Sequence, residues 1–233
     1  MGACHNQHSE WRVPYNHARD ESCAAGRAGI TTPDPASLPA TSRAFPPARL
    51  ARRYIFSAKN KAGGLRLVFD VEADNLLNAA TKIYCIVVED LDSDRIDEFG
   101  PGQPDDALAR LSQANCLIGH NIVGYDLPLL QRLHGWTPPQ GCTVVDTLIA
   151  SRLILAHLRS LDQQAQVMGD PSLGKIAGSH SLKAWGVRLG VPKVGADIEV
   201  FSKWTPELQQ RCVGDVRLTK ALCEFLQPDG QAA

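Results

Sequence analysis

Two carboxylates stand two residues apart where a hydrophobic segment ends. The segment 65–69 (Leu-Arg-Leu-Val-Phe) is typical of a buried strand, and Asp70 and Glu72 come next. Side chains two apart in a strand point to the same face, so we expect these carboxylates to project side by side. Adjacent carboxylates repel each other unless a cation lies between them, and oxygen ligands suit a hard divalent metal such as Mg²⁺ or Mn²⁺. The pair therefore indicates a candidate metal site, although Asp-x-Glu alone can equally begin a polar turn.

Two further carboxylates occupy positions where functional groups are common. Asp126 follows a short hydrophobic strand and precedes a helix, and such junctions often carry functional groups in α/β proteins. It can equally be a helix N-cap, the role that we predict for Asp146, and one residue can fill both roles. Asp215 stands beside the apolar stripe of the last helix, where a carboxylate needs a partner. That partner is either a metal ion or a cation such as Arg217 or Lys220, which share its face poorly.

The chain from Gly64 onward has the pattern of a mixed α/β domain. Hydrophobic segments of strand length are followed by amphipathic segments that begin at N-cap residues such as Ser179 and Thr205. Three strands come first, which fits an antiparallel meander that is extended by parallel strands. The predicted strands are 65–71, 83–88, 95–99, 116–118 and 144–145, and the predicted helices are 104–114, 127–133, 147–158, 180–189 and 206–226.

Residues 1–60 differ in composition from the rest of the chain. They lack sustained periodicity and are punctuated by prolines, so we predict a disordered leader followed by one domain over residues 61–233. Residues 1–63 carry a net charge of +5, and residues 64–233 carry a net charge of −6. Phosphate contacts supply most non-specific affinity for nucleic acid, so an acidic body needs metal ions or a partner to offset its charge.

Cysteine usage and hydropathy indicate the cellular compartment. The seven cysteines are scattered and include no Cys-x-x-Cys pair, which argues against a disulfide framework or a structural zinc site. No apolar run reaches membrane-spanning length, and no secretory signal is recognisable. We therefore expect a cytoplasmic protein without a membrane partner.

Three segments together resemble the exonuclease motifs of the DEDD (DnaQ-like) superfamily. Each motif is weak alone, but the ordered combination is specific. The pattern is most similar to the 3′–5′ exonuclease domain of phage family A DNA polymerases, which the segments 146–153 and 178–190 also resemble. The resemblance covers about residues 66–226 and implies an α/β fold of the ribonuclease-H-like type, a mixed sheet flanked by helices. The three segments are 68–74 (Val-Phe-Asp-Val-Glu-Ala-Asp), 119–126 (Gly-His-Asn-x-x-x-Tyr-Asp) and 212–222 (Cys-Val-Gly-Asp-Val-Arg-Leu-Thr-Lys-Ala-Leu).

The resemblance implies a metal-dependent 3′–5′ exonuclease that removes nucleotides from single-stranded or frayed DNA 3′ ends. Two Mg²⁺ or Mn²⁺ ions are the implied cofactors. In this family pattern, Asp70, Glu72 and Asp215 hold one ion, and Asp70 and Asp126 hold the other. The implied substrate-binding positions are Leu76, as an apolar wedge against the terminal bases, Asn121 and Tyr125 near the strand end, and Arg211.

Two positions depart from the family pattern. Relatives have Tyr four residues before the last motif Asp, whereas this chain has Arg211, and Gly214 replaces the usual Gln. A guanidinium cannot orient water through a hydroxyl, but it can grip a phosphate oxygen or pair with Asp215. The activity is therefore expected to be reduced.

Three functions are compatible with these motifs. The leading one is proofreading beside a separately encoded DNA polymerase in a bacterial or phage-infected cell, because no polymerase domain follows in this chain. The second is RNA 3′ trimming by an exonuclease of the same superfamily. The third is a degenerate, non-catalytic domain that binds DNA ends or a polymerase, which the substitutions at Arg211 and Gly214 favour.

Overall fold

The computed structural model describes residues 64–167, 171–191, 193 and 203–226. The leader predicted over residues 1–60 lies outside the described residues, so the boundary near residue 61 stays a prediction. Within the described part, no helix is long and apolar enough to cross a membrane.

A five-stranded mixed sheet lies at the centre of the fold. The first three strands pair antiparallel as a meander, and the last two extend it in parallel from the first strand. The order β3-β2-β1-β4-β5 places the first strand in the middle of the sheet. This confirms the predicted α/β architecture. The strands are β1 (Arg66–Ala73), β2 (Ile83–Asp90), β3 (Ile96–Phe99), β4 (Cys116–Gly119) and β5 (Thr143–Asp146).

Helices flank the sheet at positions close to the predicted ones. The last helix agrees best, because Pro206 and Leu226 bound it as the capping signals and apolar stripe predict. The described α-helices are α1 (Pro104–Leu111), α2 (Asp126–His134), α3 (Thr147–Ile154), α4 (Leu158–Val167), α5 (Leu182–Leu189) and α6 (Pro206–Leu226), and Pro171–Ile176 form a 3₁₀ helix.

The helix predicted over 147–158 is wrong as a continuous element. It breaks at Leu155, whose backbone (φ −118°, ψ 50°) leaves the helical region, and α4 begins at Leu158. Ile154 and Leu158 are both buried in one cluster around Trp185. The break therefore allows two short helices to pack on the same aromatic side chain.

Helix α5 begins two residues later than predicted. Its N-cap is Ser181, whose hydroxyl accepts a hydrogen bond from the backbone N–H of Ala184 at 3.3 Å, and not Ser179. Gly178 adopts φ +75°, so the chain is still turning just before Ser179. A helix cannot start until this turn is complete.

The alternation of β1 side chains separates two hydrophobic cores. Leu67, Phe69 and Val71 pack in a cluster with residues of α1 and α2, whereas Val68 packs in a second cluster with residues of α6. Asp70 and Glu72 share the parity of Val68 and therefore face α6. The strand continues to Ala73, two residues beyond the predicted end at residue 71, so Glu72 as well as Asp70 lies within it.

Candidate metal centre

Three carboxylates from two elements converge on the α6 side of the sheet. Asp70 and Glu72 lie on β1, where they are paired in register with Val87 and Cys85 of β2. Asp215 comes from the middle of α6. Carboxylate oxygens of the three residues lie within 4.8 Å of one another, and Glu72 and Asp215 are buried. We call Asp70, Glu72 and Asp215 the carboxylate cluster.

Asp126 lies next to this cluster and is not one of its three members. It is the first residue of α2, and Tyr125 occupies the N-cap position, so Asp126 is not the N-cap that its context allowed. Its carboxylate accepts a hydrogen bond from the backbone N–H of Val71 at 3.0 Å, which fixes it against β1 beside Asp70. Burial raises the pKa of Asp126 to about 8.

Two cations approach the carboxylate cluster. The Lys193 ammonium lies 2.7 Å from Oδ2 of Asp215. The Nε atom of Arg211 lies 3.2 Å from Oε1 of Glu72 and 4.0 Å from Oδ2 of Asp215. Arg211 thus shares the face of Asp215, as the helical spacing predicts, but its shorter contact is with Glu72.

Lys193 is the residue of this site that sequence reasoning missed. The sequence offered Arg217 or Lys220 as partners for Asp215, and this alternative is wrong for Lys220, which pairs with Glu89 at 2.9 Å and with Asp94. Lys193 follows Gly190, beyond the end of α5, and belongs to no periodic pattern. The one available signal was that a buried carboxylate near a core stripe requires a cation, which does not say where in the sequence that cation lies.

The electrostatics of the cluster favour binding of a further cation. Burial raises the pKa of Asp70 well above its usual range, and the neighbouring carboxylates add to this effect. Burial also raises the pKa values of Glu72 and Asp215, although Arg211 and Lys193 oppose it. Oδ1 of Asp215 is buried without a hydrogen-bond partner among the described residues. An all-oxygen donor set with an unsatisfied buried oxygen fits a hard divalent metal ion.

Asp146 organises the loop that leads into α2. Its carboxylate caps α3 by accepting hydrogen bonds from Leu148 N–H at 2.9 Å and Ile149 N–H at 3.3 Å, which confirms the predicted N-cap. It also accepts hydrogen bonds from the backbone N–H groups of Asn121 at 3.0 Å and Val123 at 3.2 Å. This second pair was not foreseen, and it holds Asn121 in a left-handed conformation with φ 66°.

Leu76 and Tyr125, the two remaining predicted substrate-binding residues, lie at the rim of the site. The Leu76 side chain is 79% exposed in the loop between β1 and β2. The hydroxyl of Tyr125 donates a hydrogen bond to the carbonyl of Asn75 at 2.7 Å and so ties this loop to the start of α2. Burial, with the nearby carboxylates, raises the pKa of Tyr125 to about 12, so its hydroxyl stays protonated at neutral pH.

A cleft of about 580 Å³ borders Asn121 on the side of α3 and α5. Burial lowers the pKa of His120, one of its lining residues, to about 4, so this imidazole is neutral at pH 7. Its Nδ1 atom lies 2.9 Å from the hydroxyl of Thr147. Arg152 is exposed and gives the cleft a positive charge. The lining includes His120, Asn121, Arg152, Ser179, His180 and Ser181.

Comparison with known proteins shows that the chain is similar to phage DNA polymerases. The DNA-directed DNA polymerases of Enterobacteria phage T3 and Escherichia phage T7 are 34% and 33% identical to it, each over 190 residues. Each alignment covers 70% of this chain but only 27% of the polymerase, so the chain spans about a quarter of the length of these curated relatives. No protein-family model matches the chain.

A solved structure described as the apo form of a nuclease has the same fold. Its TM-score is 0.50 at 22% sequence identity, and the match covers 77% of this chain and 75% of the nuclease chain. The ordered motifs, the mixed sheet and the polymerase homology agree. The fold is therefore of the ribonuclease-H-like type. The similarity to the two phage DNA polymerases fits the resemblance of the sequence motifs to the DEDD (DnaQ-like) exonuclease superfamily.

Proposed function

We propose that this protein is a metal-dependent 3′–5′ exonuclease that acts on DNA ends. The observation that carries the proposal is the carboxylate cluster, in which oxygens from β1 and α6 lie within 4.8 Å of one another. The two relatives are DNA-directed DNA polymerases, which supports DNA as the substrate. Proofreading beside a separate polymerase in the cytoplasm of a bacterial or phage-infected cell is the physiological role that fits this substrate.

The carboxylates on the α6 side of β1 would hold the metal ions. Asp70, Glu72 and Asp215 would hold one Mg²⁺ or Mn²⁺ ion, and Asp70 with Asp126 would hold a second. When bound, such ions activate the attacking water and stabilise charge on the leaving oxygen of a phosphodiester. The chain contributes a rigid strand and helix that hold the oxygens in place and a half-buried site that limits water.

The rim residues are suited to an unpaired strand end. The exposed Leu76 offers an apolar surface on which a terminal base can stack, and Tyr125 fixes the loop that carries it. Asn121 is exposed on a turn that Asp146 holds. The cleft beyond Asn121 carries the charge of Arg152, so we assign it as the path of the strand.

A cleavage assay with 5′-labelled single-stranded DNA tests the proposal. With Mg²⁺ or Mn²⁺, we expect a ladder of products that shorten from the 3′ end, and none with EDTA. A 3′-terminal phosphorothioate should stall the reaction, and Asp215→Asn should abolish it. Faster shortening of RNA of the same sequence would instead support the RNA-trimming function.

A second candidate function is a non-catalytic module that binds DNA ends or a polymerase. It is favoured by one observation, namely that Arg211 and Lys193 already pair with Glu72 and Asp215. In that case the protein would bind a 3′ single-stranded oligonucleotide but leave it intact even with Mn²⁺. The same binding would be insensitive to EDTA.

A further inference from the structure

The Lys193 ammonium makes a close, largely buried contact with the carboxylate cluster. It lies 2.7 Å from Oδ2 of Asp215, and the two side chains are 17% and 5% exposed. We propose that Lys193 exchanges between Asp215 and a substrate phosphate, so that binding of divalent metal and binding of the nucleotide are coupled. This inference rests on the proposed function, and it assigns a regulatory role to a residue outside the predicted motifs.

The charges at the site argue for the exchange. A divalent cation on the cluster would share Asp215 with the Lys193 ammonium, and two cations on one carboxylate repel each other. If Lys193 leaves without a new partner, a largely buried ammonium remains uncompensated, which is costly. An anionic phosphate of the substrate supplies the missing partner, so the metal and the phosphate each make the other's binding more favourable.

The backbone at Val191, two residues before Lys193, is held against α5. Val191 donates its N–H to the carbonyl of Gly186 at 2.9 Å. A Cβ atom at position 186 would lie 2.6 Å from the carbonyl oxygen of Val191 and 3.4 Å from the backbone nitrogen of Lys193. Glycine thus permits this close approach to α5, and a compact ammonium on a flexible four-carbon stem can move between two anions.

Lys193 also lies toward the cleft that we assign to the strand. It is near enough to His120 for its positive charge to contribute to the lowered pKa of that imidazole. His120 lines the cleft, and Asp215 belongs to the carboxylate cluster. The charge of Lys193 therefore acts on both the carboxylate cluster and a residue of the cleft, the two parts of the site that a phosphodiester must bridge.

The matched control is Lys220, a second largely buried lysine that pairs with a buried carboxylate. Its side chain is 14% exposed and its ammonium lies 2.9 Å from Glu89, which is outside the carboxylate cluster. Lys193→Met and Lys220→Met each remove one ammonium from similar surroundings. Only Lys193→Met removes the ammonium that takes part in the proposed exchange.

The test is a Mn²⁺ titration of the metal-free protein at pH 8.5, followed by electron paramagnetic resonance of free Mn²⁺, with and without thymidine 5′-monophosphate. A titration without protein gives the blank for metal bound by the nucleotide itself. We expect the nucleotide to tighten Mn²⁺ binding by about 5- to 150-fold in the parent and in Lys220→Met, the usual range of coupling between two sites. In Lys193→Met, Mn²⁺ alone should bind more tightly than in the parent, and the enhancement by nucleotide should fall at least about fivefold.

Each outcome separates the exchange from the proposed function. Mn²⁺ binding with equal enhancement in Lys193→Met and in the parent would overturn the exchange and leave the exonuclease proposal standing. No Mn²⁺ binding in the parent, with or without nucleotide, would overturn both. Lys193→Arg keeps the charge and should retain the enhancement of Mn²⁺ binding by nucleotide, which guards against misfolding of Lys193→Met. Loss of this enhancement in Lys193→Met, in Lys193→Arg and in Lys220→Met would also overturn the exchange.

Discussion

Asp70 is the carboxylate of the cluster with the least favourable surroundings for a negative charge. Burial raises its pKa, and the neighbouring carboxylates raise it further. Among the described residues, the hydrogen bond that its carboxylate accepts comes from a thiol, that of Cys212 at 3.4 Å. Burial holds the pKa of Cys212 well above its usual range, so this thiol remains a neutral donor. A weak donor does little to stabilise a carboxylate, and Asp70 therefore gains most from a bound metal ion.

We predict that Asp70→Ala abolishes metal-dependent cleavage while the protein stays folded. Removal of one of several repelling carboxylates should also raise the metal-free melting temperature, because burial of this charge is unfavourable. Cleavage assays and thermal denaturation with EDTA measure the two effects. Cleavage at the parent rate would refute the metal site.

Arg211 offers a second residue-level prediction. Its Nε atom is 3.2 Å from Glu72, so it competes with metal for that carboxylate more directly than for Asp215. Arg211→Tyr should lower the Mg²⁺ concentration needed for half-maximal cleavage and raise turnover, since the tyrosine frees Glu72 and supplies a hydroxyl.

The control for this change is Arg217→Tyr on the exposed side of the same helix. It should leave the Mg²⁺ requirement unchanged, because Arg217 does not face the cluster. Lower activity in Arg211→Tyr would show instead that the guanidinium is a working phosphate contact.

At the level of elements, the site depends on a junction between β5, α3 and the loop after β4. One carboxylate, Asp146, satisfies the first N–H groups of α3 and two N–H groups of the loop that presents Asn121. These hydrogen bonds stabilise Asn121 at φ 66°, a left-handed conformation that asparagine adopts more readily than most residues other than glycine. The cap of α3 and the loop that presents Asn121 therefore depend on the same side chain, Asp146.

We predict that Asp146→Ala destabilises the protein by about 1–3 kcal/mol, since it removes a cap and leaves buried N–H groups without an acceptor. It should also weaken binding of oligonucleotide, because Asn121 loses its position. Urea denaturation and a binding titration measure these effects. The comparison is Thr205→Ala, which removes the 3.2 Å hydrogen bond that the Leu208 N–H donates to the Thr205 hydroxyl at the start of α6, away from the cleft, and which should cost less and leave binding unchanged.

The sequence predicted those elements whose signals are local. The hydrophobic segment 65–69 and the apolar stripe of α6 each indicate burial directly, so the strand and the helix that carry Asp70, Glu72 and Asp215 were predicted. The break at Leu155 was not found, because packing of Ile154 and Leu158 on Trp185 overrides a continuous helical pattern. Lys193 was missed because it belongs to no periodic pattern and its contact with Asp215 joins residues that are 22 positions apart.

At the scale of the whole molecule, the charge is unevenly divided between the two parts of the chain. Residues 64–233 carry a net charge of −6 and residues 1–63 a net charge of +5. We predict that a protein beginning at Lys61 keeps its cleavage activity but binds DNA more weakly, with the largest difference at low salt. Binding titrations at several salt concentrations measure this, and a large loss of thermal stability in the shortened protein would contradict the proposed boundary.

The buried carboxyls also make the stability of the whole metal-free protein depend on pH. Asp126 has a pKa of about 8 in the folded protein against a usual value of 3.8, so the folded state binds more protons than the unfolded state between these values. The free energy of unfolding should therefore fall as the pH rises, by at most about 1.4 kcal/mol per pH unit for one such group. His120, with a folded pKa of about 4 and a usual value of 6.5, has the opposite effect below pH 6.5. The clearest window is thus pH 6.5 to 8, where we expect urea denaturation with EDTA to show decreasing stability.

Urea denaturation over the same pH range with Mn²⁺ in place of EDTA should show the largest gain in the free energy of unfolding at pH 8. The carboxyls must lose their protons before they bind metal. The matched variant is Asp126→Asn, which cannot ionise and should flatten the metal-free profile between pH 6.5 and 8. Ser181→Ala should keep the parent's slope, because it removes no titrating group. A metal-free parent whose free energy of unfolding stays constant or rises over this window would contradict the assignment, since the folded state would then hold no excess proton on Asp126.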